Sequence, residues 1–585
     1  MLKLFRNFTK REWLLAALSF VFIIFQVWLE LTMPDYMKEI TTLVETEGSV
    51  MSDILKAGGM MLLCALGSVA FAVATSYCFA RIGSRFSGAL RRRLFSKVQQ
   101  FSMGEIGHFS TASLITRSTN DVQQVQMFIV MGLQMIIRAP IMGVWAILKI
   151  STKQWEWTAV TGAAVVLLLI IAATILIVAM PKFKKMQVLT DNLNRNAREN
   201  LSGLRVVRAY NAESYQEAKF EQSNTALTNN SLFAQRAMSL LLPMIQLIMN
   251  GLSLSIYWIG AILINAASVG ARLNLFSDMM VFSQYAMQVV MSFMMLVVMF
   301  VLWPRASVAA SRILEVLNEP VTMKNGTQKE GKDNLKGEIE FRNVGFSYPD
   351  AKEGVLENIS FKVKPGQTLA IIGTTGCGKS TLINLIPRFY DVTSGQVLVD
   401  GRDVREYDEN ALRDRIGYIP QKATLFKGTI ESNIAYGDNG KGKPSEKQIE
   451  NAIDIAQAGE FVSQLDDGLE HFVAQGGINY SGGQKQRLSI ARAIARDPEI
   501  FIFDDSFSAL DYKTDRKLRE TLDSSCKGAT RIIVAQRIGT IRDADQILVL
   551  DEGRIAGLGT HDELMKNCEV YQQIALSQLS RKELE

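Results

Sequence analysis

Six long apolar runs fill the first half of this 585-residue chain, and they restrict its fold more than any other feature. They lie at about 13–33, 57–80, 127–150, 155–180, 236–265 and 278–303. A helix rises about 1.5 Å per residue, so roughly 20 apolar residues cross about 30 Å of hydrocarbon, and each run has that length. The runs predict six membrane-spanning helices. The first run also invites a signal-peptide reading. Its apolar stretch is too long for one, and Met33-Pro34-Asp35 offers no small-residue cleavage site, so an anchor is expected. Composition agrees: 48% of residues are hydrophobic and mean hydropathy is +0.12, unusual for a soluble protein.

Charge orients the runs. Lys3, Arg6, Lys10 and Arg11 precede the first. Arg81, Arg85, Arg91, Arg92, Arg93 and Lys97 follow the second, and Lys182, Lys184 and Lys185 follow the fourth. The segment after the first run is acidic on balance (Asp35, Glu39, Glu45, Glu47, Asp53). Lys and Arg mark the cytoplasmic side, so a multi-pass protein of the cell membrane is expected, both termini cytoplasmic. The net charge of +5 is small for this length and gives no argument for nucleic acid. The cysteines Cys64, Cys78, Cys377, Cys526 and Cys568 have no metal spacing and read as reduced. Three histidines leave little room for a multi-His metal site.

The segments at about 81–126 and 181–235 are too long for bare loops and rich in helix formers. They read as helices continued into the cytosol, reversing near Ser102-Met103-Gly104-Glu105 and Asn211-Ala212-Glu213-Ser214. Residues 318–336, "NEPVTMKNGTQKEGKDNLK", have linker composition. Beyond them short β-rich runs ("TLAIIG", "IFIFDD", "RIIVAQ", "QILVLDEG") alternate with helical patterns, which implies an α/β domain with a mainly parallel sheet. The expected organisation is a helical membrane domain over 1–317, the linker over 318–336, and an α/β domain over 337–585, which the next motif makes a nucleotide-binding domain.

"GTTGCGKST" follows the strand "TLAII" and precedes the helical "LINLIPRFY". Gly373, Gly378, Lys379 and Ser380 have phosphate-loop spacing, and Thr374, Thr375, Gly376, Cys377 and Thr381 complete the loop. Glycines turn backbone N–H groups toward phosphates, Lys379 neutralises β/γ charge, Ser380 ligates Mg²⁺, and the helix adds its positive end. ATP with Mg²⁺ is the expected ligand.

A hundred residues on stands "YSGGQKQRLSIARAIARDPEIFIFDD". This resembles the signature motif and following strand of ATP-binding cassette (ABC) proteins, with Ser481, Gly482, Gly483 and Gln484 in place and Tyr480 where Leu is usual. The resemblance implies that this loop caps, in trans, a nucleotide held by a second cassette. Other positions match the family in turn. Tyr348 resembles the adenine-stacking aromatic. Gln421 resembles the glutamine that touches Mg²⁺ and water, and Asp504 the Mg²⁺-holding aspartate. Ser508-Ala509-Leu510-Asp511 resembles the loop that crosses to the partner site.

Two positions depart from that pattern. The family's general-base Glu is Asp505, one methylene shorter, and its His is Gln536, which cannot gain charge near neutral pH. A displacement of about 1 Å costs roughly a hundredfold in rate. The chain is therefore similar to the degenerate-site subunit of heterodimeric multidrug ABC exporters. That resemblance implies a partner half-transporter with intact Glu and His, and turnover mainly at the partner's site. The implied cargo is an amphipathic small molecule. Peptide or lipid export, or an ATP-gated channel or regulator, are the alternatives. Two features bear on cargo: the Met-rich sixth run (Met279, Met280, Met287, Met291, Met294, Met295, Met299) and Arg138, which either lines a cavity or snorkels.

Overall fold

In the computed structural model, residues 8–578 are described apart from 47, 350, 352 and 438, so Lys3, Arg6 and Glu47 lie outside the described residues. All six apolar runs are helical, and the helices overrun them. Helix α1 spans Lys10–Glu45 and α2 Met51–Gln99. The short α3, Met103–Phe109, precedes a long helical segment α4, Thr111–Ser151. Then come α5 (Trp155–Ser202), α6 (Glu213–Ala266) and α7 (Val269–Asn318). The overrun is polar and helix-forming, which is what the length of 81–126 and 181–235 required. Segment α4 contains two π turns, Arg117–Asp121 and Phe128–Gly132. The first carries Arg117, whose Nη1 donates to Arg312 O at 2.6 Å and Glu315 Oε2 at 2.8 Å.

The chain divides into two compact units: 1–99 with 112–319, and 100–111 with 320–585. Helix α3 thus belongs to the cassette's unit.

In the first unit, α1 carries a series of polar groups that pair with other helices. Glu30 accepts from Arg138 of α4 at 2.9 and 3.0 Å, from Gln26 at 3.0 Å and from Ser68 of α2 at 3.2 Å. Farther along, Asp35 pairs with Lys149 at 2.5 Å, and the Tyr285 hydroxyl of α7 reaches Asp35 at 2.6 Å. Lys38 and Lys153 both bind Asp278, at 2.8 and 2.6 Å. Arg138 is thus held by a carboxylate 108 residues away.

In the second unit, apolar runs bounded by turns give strands β1 (Ile339–Phe346), β2 (Leu356–Val363), β3 (Thr368–Gly373), β4 (Ser394–Val399), β5 (Arg402–Asp403), β6 (Ile416–Ile419), β7 (Gly428–Thr429), β8 (Phe472–Val473), β9 (Ile500–Asp504), β10 (Thr530–Val534), β11 (Gln546–Asp551) and β12 (Arg554–Gly559). The central sheet has the order β12-β11-β3-β10-β9-β6 and is parallel except at β12. Every residue of β9 is buried, as two covered faces demand. A smaller antiparallel sheet runs β2-β1-β4-β5. The segment read as linker is pinned to the cassette. Gly326 N donates to Tyr407 O at 3.0 Å, Lys332 N to Asp400 O at 2.9 Å, and Gly337 N to Asp400 Oδ1 at 2.7 Å.

Candidate nucleotide site

Strand β3 delivers the glycine loop. It lies between β10 and β11, so Gly373 emerges at the carboxyl edge of the sheet, where such sheets bind ligands. Gly373 is required there, because a Cβ would collide with the Leu550 carbonyl. Gly376 and Gly378 have φ of 87° and 102°, a region side chains disfavour, and a Cβ on Gly378 would approach Leu356 to 2.9 Å. Lys379 Nζ donates to Gly373 O at 2.9 Å and Thr374 O at 2.8 Å, so the ammonium bends back over the loop. Thr374, Thr375 and Gly376 are exposed, while Cys377 and Thr381 are buried beneath.

Strand β9 brings the carboxylates. Ser380 Oγ donates to Asp504 Oδ1 at 2.9 Å, so the two expected Mg²⁺-binding groups are neighbours. Burial pushes the Asp504 carboxyl above the usual carboxylate range, against the Ser380 hydrogen bond; the adjacent Asp505 charge adds to the rise and Lys379 opposes it. A cation beside Ser380 and Asp504 would remove that penalty, and the donor set of hydroxyl and carboxylate suits Mg²⁺. Tyr348 is the expected adenine platform. Its hydroxyl meets Thr381 Oγ1 at 2.9 Å, and its ring stands edge-on to Phe346 and Tyr390, at 82° and 89°. The residues present therefore fit Mg-ATP, which when bound would bring a phosphoanhydride to the site.

The two departures meet on one atom. Gln536 Nε2 donates to Asp505 Oδ2 at 2.8 Å, and Gln421 Nε2 donates to the same oxygen at 3.2 Å. Asp505 is buried, and its backbone is fixed by Asp505 N to Val534 O at 3.0 Å. Both amides are neutral donors, and the carboxylate oxygen accepts from each.

Ser481 is the N-cap of helix Gly482–Ala495. It accepts from Gln484 N at 3.3 Å, and Gln484 Oε1 accepts from Ser481 N at 2.9 Å. Ser481 and Gly482 are exposed, and a Cβ on Gly482 would meet nothing within 4 Å. Gly483 lies against the neighbouring loop; its Cβ would come within 3.2 Å of Ala509 O. Asp511 closes that loop as N-cap of helix Tyr512–Ser525, accepting from Thr514 N at 3.0 Å.

The sequence reading missed three residues that brace this frame. Gln486 Nε2 donates to Pro420 O at 3.2 Å, tying the signature helix to the residue before Gln421. Arg492 donates to the carbonyls of Asn433 and Thr424 at 2.7 and 3.0 Å. Arg487 Nη1 reaches Gln457 O at 2.7 Å. Their signal was long polar side chains in a helix whose Leu488, Ser489 and Ile490 are all buried.

Comparison with known proteins follows the same division. Residues 16–293 match the ABC transporter transmembrane region, and residues 356–508 match the ABC transporter domain. An uncharacterized ABC transporter ATP-binding protein of Mycobacterium bovis is 41% identical over 532 residues, 91% of this chain and 88% of that one. The uncharacterized ABC transporter ATP-binding protein YfiB of Bacillus subtilis is 35% identical over 584 residues, 98% of each chain. An ATP-dependent lipid A-core flippase of Pseudomonas fluorescens is 33% identical, covering 85% of this chain and 81% of its own. Among solved structures, a bacterial Atm1-family ABC exporter with ATP bound superposes with a TM-score of 0.79 at 26% identity, covering 97% of this chain and 98% of that one. With six spans and a cassette on one polypeptide, this chain is a multi-pass membrane protein belonging to the ABC transporter family, as an exporter half-transporter whose ATPase domain couples ATP hydrolysis to transport.

Proposed function

We propose that this chain is the degenerate-site half of a heterodimeric exporter in the cell membrane, moving amphipathic small molecules outward at the expense of ATP, with both termini cytoplasmic. The observation that carries the reading is the double amide lock on Asp505 Oδ2. A general base has to reach the attacking water and hold its proton. Asp505 is one methylene short and already engaged by Gln421 and Gln536, so the site binds Mg-ATP and hardly cleaves it. Its signature loop keeps Ser481, Gly482, Gly483 and Gln484, exposed and properly capped. That loop serves a partner site that has its own Glu and His. A homodimer would carry two locked sites.

The test is turnover. The purified chain alone should hydrolyse ATP slowly, and the chain with its partner half-transporter much faster. Ser481→Arg in this chain should cripple the complex, because it blocks the partner's nucleotide. Brisk hydrolysis by two copies of this chain, or by the complex after Ser481→Arg, would overturn the reading. Lipid export is the second reading, favoured by the lipid A-core flippases among the relatives. ATP-dependent uptake of cationic dyes into inverted vesicles supports the first reading; movement of a labelled lipid between leaflets without dye uptake supports the second.

A further inference from the structure

The chain enters the cassette's unit twice before ending in it: as Gln100–Thr111, which carries α3, and again at Pro320. One side chain joins the two excursions. Glu105 is buried, with 5% of its surface exposed. Its Oε2 accepts from Ser102 N at 2.6 Å, completing the capping box of α3. Its Oε1 accepts from Thr322 N at 3.1 Å and from the Thr322 hydroxyl at 2.5 Å. Burial alone would raise the Glu105 carboxyl, but the hydrogen bonds from Ser102 and Thr322 outweigh it and hold the group below the usual carboxylate range. It stays charged, and charge-assisted bonds are the strong kind. Four residues beyond Thr322, Gly326 begins the series of backbone bonds that pin the linker to the cassette. At the other end of the clamp, a Cβ on Gly104 would lie 3.4 Å from Pro349, the residue after Tyr348.

We propose that Glu105 is a positioning residue that binds α3 and the linker into one body, so that the nucleotide state at Tyr348 is passed to both connections with the membrane helices together. The inference rests on the ATP-driven transport reading but not on the partner or the cargo. An ordinary helix cap would need only the Ser102 side of the carboxylate. The Thr322 side is the part that a cap leaves unexplained.

Three variants separate these roles. Glu105→Gln keeps an acceptor for Ser102 N, because Gln serves capping boxes, but turns an amide donor toward the Thr322 N–H. Ser102→Ala loses the cap hydroxyl and keeps the clamp. Thr322→Ser keeps both clamp donors. The full chain is assembled in its native dimer in membranes, with spin labels at Val50→Cys and Trp155→Cys, both exposed, and the label distance is read before and after trapping with ATP and vanadate. ATPase turnover is read in parallel. With Glu105→Gln, the fraction of molecules that change distance should fall about tenfold, the scale of one lost charge-assisted bond, while ATPase stays within about twofold. Ser102→Ala and Thr322→Ser should behave as wild type. A full distance change in Glu105→Gln, or a loss in Ser102→Ala as large as in Glu105→Gln, would overturn the clamp. Failure of dye uptake by the wild type would count against the cargo reading alone, since the distance measurement needs no cargo.

Discussion

Asp505 adopts φ of 48°, in the left-handed region, where Asp and Asn are among the few side chains tolerated without much strain. That allows a sharp test of how passive its carboxylate is. Asp505→Asn removes the charge but keeps the shape, the backbone preference and an oxygen for the two amide donors. In the dimer with its partner, turnover should change by less than about twofold, where removal of a working general base costs about a hundredfold or more. Steady-state ATPase of the complex checks this. Glu30 gives the opposite case. Arg138 and Glu30 are 22% and 16% exposed and sit among apolar runs. Breaking a half-buried pair from one side leaves a charge without its partner. Glu30→Gln should therefore lower thermal stability in detergent markedly, and Glu30→Leu combined with Arg138→Leu should recover much of it. The residue types at the nucleotide site were readable in sequence because glycines, Lys379 and Ser380 leave a spaced record. The joint hold of Gln421 and Gln536 on one oxygen was not, because those residues stand 115 apart and meet only once β6, β9 and β10 pair.

At the scale of elements, the apolar runs located the helices but not what binds them to one another. Composition marks a span by length; nothing in it says that Lys38 and Lys153 share Asp278, or that Tyr285 reaches back to Asp35. These partners are separated by 125 to 250 residues, beyond any periodicity. The linker shows the same limit. Its Gly, Asn and Lys content reads as linker, yet Gly326 and Gly331 are there because the backbone runs hard against Glu406 and Asp400. Glycine in sequence looks alike whether it frees a chain or lets it approach another. The ion-pair ladder carries its own prediction. Asp278 is the only carboxylate within reach of both Lys38 and Lys153 among the described residues. Asp278→Ala should loosen the end of α1 beyond Pro34, seen as faster amide exchange over residues 36–45 than over 15–30. Lys38→Met, which leaves the Lys153 pair in place, should have the smaller effect. Uniform exchange along α1 in Asp278→Ala would mean that helix packing alone holds it.

At the scale of the whole molecule, the proposed function has one chain supply a locked site and a sound loop that act on different nucleotides. If Asp505 is held by Gln421 and Gln536, the ATP gripped by Gly373–Thr381 should remain intact through cycles in which the partner's ATP is consumed. A photoactivatable ATP analogue labelled in the γ-phosphate distinguishes the two. After a few turnovers and illumination, this chain should retain γ-label in amounts close to those from an analogue labelled in the α-phosphate. The partner should keep the α-label and lose the γ-label. Lys379→Ala should abolish both labels on this chain, because the loop loses its one cation for the β/γ charge. Asp505→Glu alone should still leave most of the γ-label in place, since Gln536 holds the same carboxylate position and cannot take on the charge a histidine would. Equal loss of γ-label from both chains in the unaltered dimer would make the two sites equivalent and remove the reason for a partner of different sequence.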